Sequence, residues 1–222
     1  MSPGARKSRR CRSRKDGFKR RRPSAGLEPK KTVLIVGEGR ETEPNYFRGL
    51  AKEEAVTDGF RVVVKKGIGF SAKDAVKRTI DLKKESDFDF VYCVVDVEGP
   101  HRRDADLREA CELARKKKIT LILSNPSFEV WFLAHFERTC QSFLTADHVI
   151  DALKPHWQRH CTQDYRKNDQ GVYARLADRR MTAVANARAV RQQDHRNRPV
   201  KDSNSSTEVD TLVAHLLGPP EG

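Results

Sequence analysis

The sequence predicts an α/β protein: a mainly parallel sheet flanked by helices, followed by a helical C-terminal portion. Three observations carry this. Two stretches, Thr32 to Val36 and Asp89 to Val97 (the second a continuous apolar run that ends in acid), are rich in β-branched residues and read as strands buried on both faces. Strand-like and helix-like stretches alternate over residues 31–140, the pattern of a parallel sheet covered by its crossover helices. From Thr145 onward only helical patterning remains, so residues 141–222 read as a helical portion packed on that core.

The elements follow in order. After the first strand come Gly37-Glu38-Gly39, a tight turn with a carboxylate at its centre. Thr42 is the expected N-cap of a helix from about Glu43 to Ala55, with Pro44 in its first turn. Phe60 to Val64 reads as the second strand. Ser71-Ala72-Lys73-Asp74 resembles a capping box and opens a helix that turns Ala72, Val76 and Ile80 inward. Asp89 to Val97 is the third strand, followed by a helix from about Asp104 to Lys117. Ile119 to Leu123 is the fourth strand. Asn125 then reads as the cap, and Pro126 as the first residue, of a helix apolar nearly all round. Further helices are expected at Ala146 to Leu153, Val172 to Gln193 and Glu208 to Leu217, with a polar loop from His195 to Ser206. There is no internal repeat.

Charge is unevenly spread. Residues 1–31 hold 13 Lys and Arg against two acids, a net of +11, so residues 32–222 hold only +2 of the total +13. Residues 1–30 have almost no large apolar side chains and read as a disordered basic arm. Two readings stay open for it: a polyanion-binding arm, or a solubilising tail or mis-assigned start. The arm has no apolar segment of the secretory type, and no stretch of 18 apolar residues exists. Five cysteines without paired spacing fit a reducing compartment, so the expected location is the cytoplasm.

The chemistry-bearing residues gather at predicted strand ends. Glu38 lies just past the first strand, where open α/β sheets place ligands, and its flanking glycines leave it uncovered. Asp96 and Glu98 end the third strand, and two residues apart in extended chain they point to one side. If the first and third strands are neighbours, the three acids converge into a hard-oxygen site for Mg²⁺ or Mn²⁺. A lone Asp-x-Glu is otherwise a solvated strand end. His101, after Gly99-Pro100, is a candidate acid/base or phosphate group, or an exposed loop histidine. Arg102 and Arg103 are candidate phosphate clamps or the solvated first turn of the next helix, although cations at a helix start oppose its dipole. Asn125 and Lys167 are further candidates for contact with substrate. Glu129 is the only acid between Ile119 and His135, so it should be paired or bind something, as a catalytic group or a fourth acid of the site. His156, His160 and Cys161 suggest zinc only weakly, for lack of a fourth ligand. Gly37-x-Gly39 lacks the remaining residues of a dinucleotide fingerprint or a P-loop.

Five blocks in order resemble the RloB-like family: VGEGRETEPNYF, FVYCVVDVEGPH, LSNPSFEVWFLAHF, YRKNDQGVY and NSSTEVDTLV. They span Lys31 to Leu217 and leave the arm outside. The resemblance implies a Toprim-like fold, in which a glutamate follows the first strand and an Asp-x-Asp pair follows the third. It carries Glu38 over as the glutamate, and Asp96 and Glu98 as the pair, with Glu98 standing where the pattern has Asp. It further implies association with restriction-modification loci and defence against phage, often beside an ATPase, and Mg²⁺-dependent cleavage of nucleic acid. The expectation is therefore a metal-dependent nuclease acting on DNA or RNA, tRNA included. The rivals are a non-catalytic nucleic-acid-binding subunit working with a partner ATPase, and an enzyme acting on small phosphate esters.

Overall fold

The computed structural model describes residues 29–67, 71–97 and 104–218. The basic arm expected over residues 1–30 lies almost wholly outside them. Five strands form one sheet in the order β2-β1-β3-β4-β5. They are β1 (Lys31–Gly37), β2 (Phe60–Lys65), β3 (Phe90–Asp96), β4 (Thr120–Asn125) and β5 (Ser206–Thr207). The first four run parallel, with Val36 beside Lys65 and Cys93, and Asp96 beside Ser124. Strand β5 pairs antiparallel with the end of β4. It falls in the stretch expected to be loop, because two polar residues carry no strand pattern of their own.

Alternation along β1 explains how both faces are filled. Val33 and Ile35 face one apolar cluster, Leu34 and Val36 the other. Helices α3 (Ala72–Lys83) and α4 (Asp104–Lys116) cover the second face with small and aliphatic side chains. The first face is covered by α1 (Thr42–Leu50), α2 (Glu54–Gly59) and the later helices. Those are α5 (Glu129–Ala134), α6 (Ala146–Cys161), α7 (Val172–Leu176), α8 (Arg180–Ala189) and α9 (Val209–Leu217). Tyr46, Phe47, Phe128, Trp131, Phe132 and Trp157 are all buried there, with ring centroids 5.3–6.2 Å apart in mostly edge-on pairs.

Ser71 caps α3 as expected, its hydroxyl accepting from the Asp74 amide at 3.2 Å. The helix expected from Ala146 to Leu153 runs on to Cys161, and three further helical expectations need correction. The helix expected from Glu43 to Ala55 breaks after Leu50, since α1 packs on α7 while α2 packs on β2 and α9. The helix expected from Val172 to Gln193 is interrupted by a 3₁₀ turn at Ala177–Arg179 and ends in a π turn at Val190–Asp194. There α7 lies on α1 and α8 on α5, so the chain must change direction between two partners. Thr42 is not the N-cap of α1; Glu41 precedes the helix, and Thr42 is its first residue. Its hydroxyl instead donates to the Lys167 carbonyl at 3.3 Å.

Two close backbone approaches require glycine. A Cβ on Gly67 would sit 2.0 Å from the Glu38 carbonyl oxygen, because the chain after β2 crosses directly over the β1–α1 turn. The Gly67 amide donates to the Gly39 carbonyl at 3.0 Å and ties the two together. A Cβ on Gly49 would meet Tyr173 Cβ at 2.3 Å, which fixes how near α7 approaches α1.

Candidate active site

The carboxyl ends of β1, β3 and β4 lie side by side, so the residues that follow them share one edge. The Glu38 amide donates to the Val94 carbonyl at 2.9 Å, which continues the β1–β3 ladder one step past the strand. Its side chain turns toward β3: Oε2 accepts from the Asp96 amide at 3.1 Å. Glu38 and Asp96, expected to converge, therefore adjoin, and both are half-buried. Glu98, His101, Arg102 and Arg103 lie outside the described residues.

A second pair of acids lies beside the first. Glu43 was read only as part of a first helical turn. It belongs to the inward stripe of α1 with Tyr46, Phe47 and Leu50, and is only 4 % exposed. Its Oε1 accepts from the Gly39 amide at 2.9 Å and closes the turn that carries Glu38. Glu129, at the start of α5, is 3 % exposed. Its Oε2 accepts from the Ser127 hydroxyl at 2.7 Å, and its Oε1 from the Tyr165 hydroxyl at 3.1 Å. Lys167 Nζ stands 3.8 Å from the same Oε1. The expectation that Glu129 must be partnered thus has a structural answer in Ser127, Tyr165 and Lys167.

Burial pushes the Glu43 carboxyl above its usual range, and the neighbouring Glu129 charge adds to the rise; the Gly39 hydrogen bond and Lys167 oppose it. The Tyr165 hydroxyl is raised by burial first and by the Glu129 charge second, so it stays a donor. Below the turn, burial pushes the Cys93 thiol up to about 12, with Glu38 and Glu43 contributing to the shift. Cys93 is therefore an inert thiol under an acidic edge.

Asn125 sits differently from its expected position. It ends β4 and does not cap α5, whose first residue is Glu129. It is buried, and its amide nitrogen donates to the Val200 and Lys201 carbonyls at 2.9 and 3.3 Å. That amide anchors the segment leading into β5. His156 stacks on Phe136 and lies 3.3 Å from Glu137, while His160 meets the Arg175 carbonyl at 3.1 Å.

Among the described residues, no group of three or more His, Cys, Asp or Glu is arranged to hold a metal ion. The donor types nonetheless suit a hard divalent cation: Glu38, Asp96, Glu43 and Glu129 offer only carboxylate oxygens.

Fold and edge together define a parallel α/β protein with an acidic site at the carboxyl ends of its strands. Over residues 33–216 the chain matches the model of the RloB-like protein family, and it belongs to that family. No curated protein and no solved structure matches it. No described helix is long and apolar enough to cross a membrane.

Proposed function

We propose that this protein is a Toprim-like, metal-dependent nuclease of a host-defence system. The observation that carries the reading is the adjacency of Glu38 and Asp96 at the end of two neighbouring parallel strands, with the buried Glu43 and Glu129 beside them. Glu38 and Asp96, together with Glu98, would supply the oxygens that hold a Mg²⁺ or Mn²⁺ ion. Such an ion would supply charge for the scissile phosphate and lower the pKa of an attacking water. Glu129 is oriented by Ser127 and Tyr165 from two directions, which fixes its carboxylate for work at the edge. Glu43, raised above the carboxylate range, holds a proton more readily than an exposed glutamate and is suited to pass one to a leaving oxygen. Lys167, exposed and on the rim, offers its ammonium to a phosphate. His101, Arg102 and Arg103 complete the set of candidate substrate groups.

The test is cleavage of DNA, RNA and tRNA by purified protein with and without Mg²⁺ or Mn²⁺. Metal-dependent cleavage is expected, and the Glu38→Gln/Asp96→Asn double variant should abolish it. Cleavage that survives this double substitution overturns the reading. One observation favours a second reading, a nucleic-acid-binding subunit beside a partner ATPase: the positive charge resides in the arm while residues 32–222 carry only +2. That reading expects salt-sensitive binding lost on deletion of residues 1–30, without turnover.

A further inference from the structure

The loop between α6 and α7 has two faces of different character. Tyr165 and Lys167 turn inward onto Glu129, at 3.1 and 3.8 Å. The residues between and beside them, Asp164, Arg166 and Asn168, turn the other way and line an open hollow of about 470 Å³. Gln163, Asp169, Gln170 and Arg175 complete its wall. A volume of that order suits a small organic ligand.

Part of this wall is fixed in advance. Asp169 Oδ2 accepts from Arg175 Nε at 2.7 Å, and its Oδ1 accepts from the Gly171 amide at 2.8 Å. With its amide turned to satisfy both atoms, Gln163 accepts from Arg175 Nη2 at 3.1 Å. The side chains of Asp164, Arg166, Asn168 and Gln170 are exposed, and they make no hydrogen bond to other described residues. They offer two amides, one carboxylate and one guanidinium on a braced floor.

We propose that this hollow takes one unpaired nucleobase of the substrate strand. Every lining residue is polar, which excludes an apolar guest. The two guanidinium groups are balanced by two carboxylates, so the lining is neutral and a bare phosphate gains little there. What remains is a neutral guest rich in donors and acceptors, and a base edge is one that amides and guanidinium groups pair with. Position gives the rest of the argument. The same loop puts Tyr165 and Lys167 on Glu129 and the residues between and beside them on the hollow, and the Lys167 carbonyl accepts from the Thr42 hydroxyl at the start of α1. A strand whose phosphate lies at the acids thus runs beside the loop that carries the hollow. The assignment to a substrate strand rests on the nuclease reading; the affinity for a base does not.

The experiment uses the full chain and free nucleosides (adenosine, guanosine, cytidine, uridine and thymidine), which lack the phosphate that the arm or the acids would hold. Binding is followed by NMR shifts, with ribose 5-phosphate and glucose as controls. At least one nucleoside should bind saturably. The Asn168→Ala/Gln170→Ala variant should bind it about tenfold more weakly, the loss expected for two neutral hydrogen bonds. Both side chains are exposed and without partners, so folding is spared. The Glu38→Gln protein should bind it like the unaltered chain. The proposal falls if no nucleoside binds, if the double variant binds equally well, or if ribose 5-phosphate competes as strongly. Nucleoside binding without metal-dependent cleavage of any nucleic acid would remove the nuclease reading and leave the base site standing.

Discussion

The two acid pairs at the carboxyl edge differ in how they meet water. Glu38 and Asp96 are half-buried at strand ends, and the Asp96 backbone amide donates to the Glu38 carboxylate. Glu43 and Glu129 are almost fully buried and depend on donors that the protein itself supplies. The first pair is expected to lose its charge at a smaller cost to folding than the second, being less buried. The second is built into the packing of α1 and α5, so its charge and the fold are linked. The difference separates acids at the rim of the sheet from acids packed between its helices.

The largest effect that would sharpen this contrast is on turnover. Glu38→Gln is expected to lower metal-dependent cleavage by about 10²-fold or more. Its thermal midpoint should stay close to that of the unaltered chain, measured by single-turnover cleavage and melting on the same preparation. Cleavage at the normal rate, or a large loss of stability, would erase the distinction between the pairs. Next is Gly67→Ala. The added Cβ has the Glu38 and Gly37 carbonyl oxygens 2.0 and 2.3 Å away, both backbone atoms, so a shift of the turn is unavoidable. A cost of roughly 3 kcal/mol is expected by urea unfolding, and cleavage should fall with it. A smaller effect comes from Tyr165→Phe, which removes the donor on Glu129 Oε1. Loss of a hydrogen bond to a buried carboxylate should cost about 2 kcal/mol, again by urea unfolding.

Much of this edge was legible in the sequence, for a physical reason. Strands β1 and β3 are central and parallel, so both faces must be apolar and the run is unbroken; the acids that end it stand out. Their adjacency needed only the strand order. Glu43 was not seen, although the signal was present: it precedes Tyr46, Phe47 and Leu50 by three, four and seven residues, which places an acid on the buried stripe. The Thr42 and Asn125 side chains were misjudged because their partners, Lys167 and the Val200 and Lys201 carbonyls, lie 75 or more residues away. Strand β5 was missed for the same reason, since only its pairing with Ser124 and Asn125 makes it a strand.

The smallest expected effect is also the one that decides whether the buried pair is charged at rest. The raised pKa of Glu43 means that the folded chain holds this proton more tightly than the unfolded chain does. Its contribution to stability is fully present below the ordinary value of 4.5 and is lost as pH rises through the elevated one. Ionising Glu43 in the folded chain therefore opposes folding, and the neighbouring Glu129 charge adds to that cost. Glu43→Gln keeps an oxygen for the Gly39 amide but removes that charge. The variant should be modestly more stable than the unaltered chain at pH 7, and the gap should close near pH 4, measured as urea midpoints across that range. A divalent cation at the edge would offset the same repulsion. Mg²⁺ should then raise the melting temperature of the unaltered chain more than that of Glu43→Gln. Equal shifts in both proteins would place the ion with Glu38 and Asp96 alone and leave the buried pair a structural feature of α1 and α5.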